Sequence, residues 1–324
     1  MMQRTAACLL AALLLLLAGR APVAAQDVSS TQNRYKQLYA QGKYAPALVE
    51  AQKLEALMRA RVGTQHKDYA TALGFVANCY LALGRYADAE AANNRVLSVR
   101  ESLFGGNSIE VADTLNNVAN THLRQGRYDE AENEYRRALA IYEQVKGASS
   151  PAAAFVLTNM GVSLRCQGKY LEAEDTYKRA LAIREQALGA EHPDVGQTLN
   201  SLGSVEQDLG KYSEAEGLLR RALAIQEKVR GGNPVIAALT LNNLAIGYDQ
   251  QGRYEAAEIY FKRAIAIEQQ ALGLGHPTVL EALQNLAVFY KVTGKFAEAE
   301  GLLRQVLVQR EKALGRSTPM WRAR

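Results

Sequence analysis

Gly210-Lys211-Tyr212-Ser213-Glu214-Ala215-Glu216 decides how this chain is read, because a near copy, Gly252-Arg253-Tyr254-Glu255-Ala256-Ala257-Glu258, begins 42 residues later. The glycine–base–aromatic triplet also stands at Gly42-Lys43-Tyr44, Gly84-Arg85-Tyr86, Gly126-Arg127-Tyr128, Gly168-Lys169-Tyr170 and Gly294-Lys295-Phe296, always at the same step. A second glycine series (Gly63, Gly105, Gly147, Gly189, Gly231, Gly273, Gly315) and an alanine series (Ala47, Ala89, Ala131, Ala173, Ala215, Ala257, Ala299) keep that phase. Three series held in register without one insertion mark an array of supersecondary units.

Each period divides into two helices. Ahead of the triplet, apolar residues fall at helical spacing, as in Leu199, Leu202, Gly203 and in Leu241, Leu244, Ala245, Tyr248, which makes one apolar face. Ser150-Pro151, His192-Pro193 and His276-Pro277 put proline at the first helical position, where no N–H is missed. After the triplet comes a longer helix, such as Tyr212 to Arg230, which the second glycine is expected to end with a left-handed cap. Along it Glu132/Arg136, Glu174/Lys178, Glu216/Arg220, Glu258/Lys262 and Glu300/Arg304 stand four apart, acid first, and are read as a solvated face. The phased alanine lets the two helices approach closely, and the turn aromatic is expected to close the top of the pair.

These residues resemble a known family. Gly-(Lys/Arg)-Tyr-x-x-Ala-Glu after Leu-Asn-Asn-Leu-Ala, followed by Arg-Arg-Ala-Leu-Ala-Ile, is similar to the tetratricopeptide repeat. The 42-residue period and the linker Leu188 to Pro193 resemble the variant of kinesin light chains and many bacterial proteins. The resemblance implies an all-α fold, a right-handed superhelical solenoid of about seven helix–turn–helix repeats. It spans Val28 to Trp321, with residues 26–69 as a degenerate capping repeat, 70–321 as six further repeats and 322–324 as a short basic tail. The first repeat departs from the pattern at Arg34, Tyr35 and Pro46, as terminal repeats do.

A chain 48% hydrophobic and 22% charged can bury a core and stay in water. Residues 1–25 read as a signal peptide: Arg4, an apolar stretch from Ala6 to Ala18, and Val23-Ala24-Ala25 before a cleavage point at Gln26. That stretch is short of the roughly 20 residues a spanning helix needs. Retention as an uncleaved anchor is the alternative. The leader is of bacterial type, so export to the periplasm or beyond is expected, with no membrane span after cleavage. Net charge is +5, or about +3 without Arg4 and Arg20, too small and too evenly spread for a nucleic-acid partner. Cys79 and Cys166 are two repeats apart, too far for a disulfide, and both are expected to be free and buried.

Chemistry is sparse. His192 and His276 occupy the same linker position two repeats apart, roughly 20 Å at ordinary helix spacing, and cannot share a metal ion. His66 shares that position, while His122 replaces the tyrosine of Tyr80, Tyr248 and Tyr290. Gly273-Leu274-Gly275-His276 lacks a third glycine and a preceding strand. There is no Gly-x-Ser-x-Gly elbow. No cofactor, no metal and no catalysis are expected.

What the resemblance implies instead is binding along the first helices of the repeats. The matching residues are Asn117, Asn159, Asn243 and Asn285, with Ser201 and Phe75 breaking the series, preceded by Asn116, Asn200 and Asn242. An amide donates and accepts, so such a ladder can hold a protein or peptide backbone; equally, each amide can bond a neighbouring helix. Near the helix ends Arg124 and Arg165 are followed by Asp208 and Asp249, a change of sign along the array. The expected function is an adaptor holding an extended or helical partner segment. Open beside it are an architectural subunit using its outer face or ends, and a regulatory partner of a separate enzyme.

Overall fold

A computed structural model describes residues 20–229 and 232–313, and every described helix belongs to one of seven antiparallel pairs. Two compact units divide the chain, residues 1–148 and 149–324. Unit 1 holds α1 (Arg20–Ala40) with α2 (Tyr44–Val62), α3 (Lys67–Ala82) with α4 (Tyr86–Phe104), and α5 (Ile109–Arg124) with α6 (Tyr128–Lys146). Unit 2 holds α7 (Pro151–Cys166) with α8 (Tyr170–Leu188), α9 (Pro193–Asp208) with α10 (Tyr212–Lys228), α11 (Pro234–Gln250) with α12 (Tyr254–Leu272), and α13 (Pro277–Val292) with α14 (Phe296–Ala313). No strand occurs among the described residues. The leader's Arg4 and Ala6–Ala18, and the tail from residue 314, lie outside them, whereas α1 runs through the expected cleavage point.

The first helix of a pair starts on a side-chain cap. Ser108 and Ser150 hydroxyls accept from the N–H of Val111 and Ala153. Where histidine stands there, Nδ1 accepts: His66 from Asp68, His192 from Asp194, His276 from Thr278, at 3.2–3.3 Å. The linker histidines are helix caps. Pro234 follows Asn233 in the same role, which completes the proline series.

The left-handed cap sits at the other end from the one expected. Gly84 has φ +72°, its N–H donates to Leu81, and the Arg85 N–H donates to Tyr80 at 2.9 Å, the paired closure of a Schellman turn. The triplet glycine therefore ends the first helix, and the following base is bound by its backbone into the same turn. The second series does something else. Gly147 combines φ +90° with ψ 151°, an extended left-handed conformation open in practice to glycine alone, so it turns the chain out of α6 instead of curling it back. Gly63, Gly105, Gly189 and Gly273 repeat that geometry. In the fifth pair α10 ends at Lys228, before the expected Arg230.

Within each unit the second helix of a pair packs on the first helix of the next: α2 on α3 and α4 on α5, then α8 on α9, α10 on α11 and α12 on α13. The phased alanines fill the closest approach and six of the seven are wholly buried, Ala299 of the last pair being nearly so. Gly161 and Gly203 serve the same end in unit 2: a Cβ on Gly161 would meet the Tyr177 ring at 2.7 Å, and one on Gly203 would meet Leu219 at 2.7 Å. Three turn aromatics do not close their pairs as expected, since Tyr170, Tyr254 and Phe296 are exposed, while Tyr44, Tyr86, Tyr128 and Tyr212 are half-buried. Among the described residues the buried tyrosines are Tyr35, Tyr69, Tyr135, Tyr142, Tyr177, Tyr248 and Tyr290. Each buried side chain of this size contributes roughly 1.5–3 kcal/mol, and one pair has too few of them to stand without its neighbours.

Candidate protein-interaction surface

The second helices carry charges that are already spent on one another. Glu132 and Glu174 are buried and Glu216 and Glu258 half-buried, with their bases reaching outward, so the expected solvated face holds for exposed Glu300 and not for these four acids. Glu90 accepts from Arg127, Glu216 from Arg253 and Glu258 from Lys295, in each case from the turn of the following repeat. Hydrogen bonds from Lys262 and Lys295 hold the Glu258 carboxyl down at about 2. His122 joins this set as the replacement for tyrosine: its Nε2 lies 3.3 Å from Glu90, where Tyr248 and Tyr290 donate to Glu216 and Glu258.

Glu206 occupies that tyrosine position in the fifth repeat, and nothing in its column announced it. It is buried beside Glu174, with Lys211 Nζ at 3.2 Å from it and at 2.7 Å from Glu174, and Lys178 bonded to Glu174. Burial and the neighbouring carboxylate push the Glu206 carboxyl up, while Lys178 and Lys211 hold that of Glu174 down at about 2.

The first helices present a different chemistry. In unit 1, α5 carries Asn116, which is buried, and Asn117, which is half-buried and makes no side-chain hydrogen bond among the described residues. Phe75, the residue breaking the amide series, stacks on Tyr35 with ring centres 4.5 Å apart, which accounts for both departures at once. Arg124 is exposed at the end of α5.

In unit 2 the amides divide. Asn243 donates to Asn200 at 3.0 Å and to Ser204 at 3.1 Å, and Gln207 donates to the Asn243 carbonyl, so this amide pins α11 to α9. Asn159 and Asn242 are half-buried and Asn285 is exposed; the side chains of Asn242 and Asn285 make no hydrogen bond among the described residues. Arg165 and Asp208 meet as an ion pair between neighbouring first helices, so neither offers a whole charge to a partner. Asp249 is half-buried, and burial pushes its carboxyl up. Ser204 and Gln207 belong to this network and had no signal in the column alignment.

Cys79 is buried, and its thiol is pushed up to about 11 by burial, whereas Cys166, at the end of α7, is exposed and not buried as expected. Both are free. Among the described residues no group of three or more histidine, cysteine or acidic side chains is placed to hold a metal ion, and no helix is long and apolar enough to cross a membrane.

The tetratricopeptide repeat family matches residues 68–144, 110–185, 151–228 and 236–312, and a second description of that repeat matches 200–271. No curated protein is similar enough to count as a match. Among solved structures, BtubC (BKLC) from P. vanneervenii is 21% identical with TM-score 0.57 over 78% of this chain and 94% of its own. The nearly identical TPR-like repeats of a Podosopora anserina kinesin light chain are 25% identical, with TM-score 0.53 over 64% of this chain and 98% of theirs. Aspartyl phosphate phosphatase F from Bacillus subtilis, at 17% identity, shares the fold with TM-score 0.68 over 93% of this chain and 75% of its own.

Proposed function

The chain belongs to the tetratricopeptide repeat family, and from that premise we propose that it is a non-catalytic adaptor whose first-helix faces hold a segment of a partner protein outside the cytoplasm. One contrast carries the reading. Glu90, Glu174, Glu216 and Glu258 of the second helices are each matched to a base of the following repeat, while on the first helices Asn117, Asn242 and Asn285 keep donors and an acceptor uncommitted. Such amides lose little on desolvation by a peptide backbone that returns both kinds of hydrogen bond. Export rests on the leader, with Gln26 as the mature N-terminus.

The experiment is site-specific photo-crosslinking in envelope extracts. A benzophenone side chain at Asn117 or Asn285 is expected to capture a partner, and the same group at Gln144 on α6 or Gln270 on α12 is not. Adducts from Gln144 and Gln270 alone would overturn the reading. A second reading, an architectural subunit docking through the end of unit 2, is supported by Val292 and Phe296, 70% and 67% exposed. It predicts adducts from Val292 and none from Asn117.

A further inference from the structure

One position of the second helices, read at 42-residue steps as Met58, Arg100, Tyr142, Arg184, Gln226, Glu268 and Arg310, fastens two of the junctions between repeats. From α8, Arg184 donates to the Asp194 carbonyl at 2.9 Å and to the Thr198 hydroxyl, both on α9. From α4, Arg100 makes the same strap to the Glu110 carbonyl and Thr114 of α5, at 2.9 and 3.0 Å. Tyr142 and Arg310 turn instead to the first helices of their own pairs, at Asp113 and Gln284. Gln226 bonds to nothing, both its amide atoms being buried, so a neutral amide is accommodated at this position without a partner.

In the sixth repeat the position holds an acid. Glu268 is 3% exposed, and its Oε2 is buried without a hydrogen bond. No base stands near enough to compensate it. The residues three and four away on α12 are Ala264, Ile265, Ala271 and Leu272, and α11 carries no charge before Asp249, at the end of that helix away from Glu268. From α13 the charge that faces it is Glu281, of the same sign, whereas Lys291 lies in the last turn of that helix. His276, the cap of α13, uses its Nδ1 to accept from the Thr278 N–H. A carboxylate so placed has lost its hydration and gained a repulsion, and a proton relieves both. Burial first, and Glu281 after it, push the Glu268 carboxyl above its ordinary value of 4.5.

We propose that Glu268 makes the docking of the seventh repeat on the sixth respond to acid: ionised, it holds the junction loose, and protonated, it lets α13 close on α12. Among the described residues the sixth repeat is the seventh's one neighbour, and stability in such arrays passes between nearest neighbours, so the effect is local. The loosening is full well above the raised carboxyl, fades as pH falls through it and is gone below the ordinary value. This device is independent of which partner the array holds. Asn285, the exposed amide of α13, stands on a firm frame in acid and on a loose one at neutral pH.

The test is hydrogen exchange of the whole chain, read by mass spectrometry at about pH 7 and about pH 5 with exposure times scaled for the intrinsic rate. In the natural chain, protection of α13 and α14 is expected to rise several-fold on acidification. Glu268→Gln is expected to protect them several-fold better than the natural chain at neutral pH, with little further gain in acid. Glu281→Gln changes an exposed side chain and should move protection part of the way, which keeps the test readable if Glu268→Gln does not fold. Slower exchange in α9 and α10 on acidification belongs to Glu206 and is scored apart. The proposal is overturned if the natural chain gains no protection in α13 and α14, or if neither variant exceeds it at neutral pH. It is equally overturned if Glu268→Gln gains as much in acid as the natural chain, since the response would then belong to another group such as Asp249.

Discussion

Lys211 Nζ lies 2.7 Å from Glu174 Oε2, fastening the turn of one repeat to the second helix of the repeat before it across 37 residues of chain. The backbone N–H of Lys211 closes the Schellman turn after α9 by donating to the Glu206 carbonyl at 2.8 Å. One residue thus ends a helix with its main chain and joins two repeats with its side chain. Arg127, Arg253 and Lys295 repeat this double duty, whereas Arg85 pairs within its own repeat with Asp88.

Glu174→Gln is expected to loosen the junction of the fourth and fifth repeats by about 1.5–3 kcal/mol at neutral pH, the range for a hydrogen bond to a charged group. Because the folded carboxyl titrates at about 2, below its ordinary value of 4.5, the stability it contributes is complete above that ordinary value. It is lost as pH falls from there toward 2. Urea melts of both proteins between pH 7 and pH 3 measure this: their gap should close on acidification. A gap independent of pH would show that the ion pairs contribute nothing.

Glu206 carries the opposite sign. Its carboxyl is pushed up, chiefly by burial, so its burden on the fold is absent below the ordinary carboxylate value and grows as pH rises through the raised one. Glu206→Gln is expected to melt higher than the natural chain at pH 7 and to match it near pH 4. A variant that melts lower at pH 7 would mean that the contact with Lys211 outweighs the burial.

The period, the pairing of helices and the caps were legible because neighbours in sequence set them: glycine where φ is positive, proline and a small polar residue where a helix starts. Contacts between repeats were not. Asn200 meets Asn243 and Arg165 meets Asp208 across 43 residues, one more than the period. Columns aligned at 42 therefore split each contact into two unrelated series. The acid of the second helix likewise read as half of an i, i+4 pair, since its second partner stands 37 residues on.

Gly161 and Gly74 both lie inside first helices, where alanine is ordinarily better by about 0.5–1 kcal/mol. A Cβ on Gly74 meets nothing within 4 Å, so Gly74→Ala should raise the melting temperature. On Gly161 it would strike the buried Tyr177 ring, so Gly161→Ala should destabilise by about 1–3 kcal/mol despite the better propensity. Calorimetry of the two variants decides the matter, and a stabilised Gly161→Ala would mean that the helices of that pair can part without loss.

Cys166 and Cys79 should separate by reactivity. A maleimide at pH 7 is expected to modify Cys166 within minutes in the native protein and Cys79 only after denaturation, since one thiol is exposed and the other buried with its ionisation pushed up to about 11. Peptide mapping by mass spectrometry reads both sites. Equal labelling would place Cys79 at a surface that opens readily.

Asn243 and Asn285 share a column of the alignment but should answer mutation differently. The Asn243 amide gives its hydrogens to Asn200 and Ser204, and removal strands both acceptors between α9 and α11. Asn243→Ala is expected to cost about 1–3 kcal/mol, felt in the fifth and sixth repeats first because coupling in such arrays is between nearest neighbours. The Asn285 side chain is exposed and bonds nothing among the described residues, so Asn285→Ala should leave the melt within about 0.5 kcal/mol of the natural chain. Hydrogen exchange on both variants checks the location as well as the size. Faster exchange confined to α9 and α11 in Asn243→Ala, with none in Asn285→Ala, identifies the first amide as a fastener and leaves the second free for a partner. Equal loss in both would mean that the column is structural throughout, and the binding surface would have to lie off the first-helix amides.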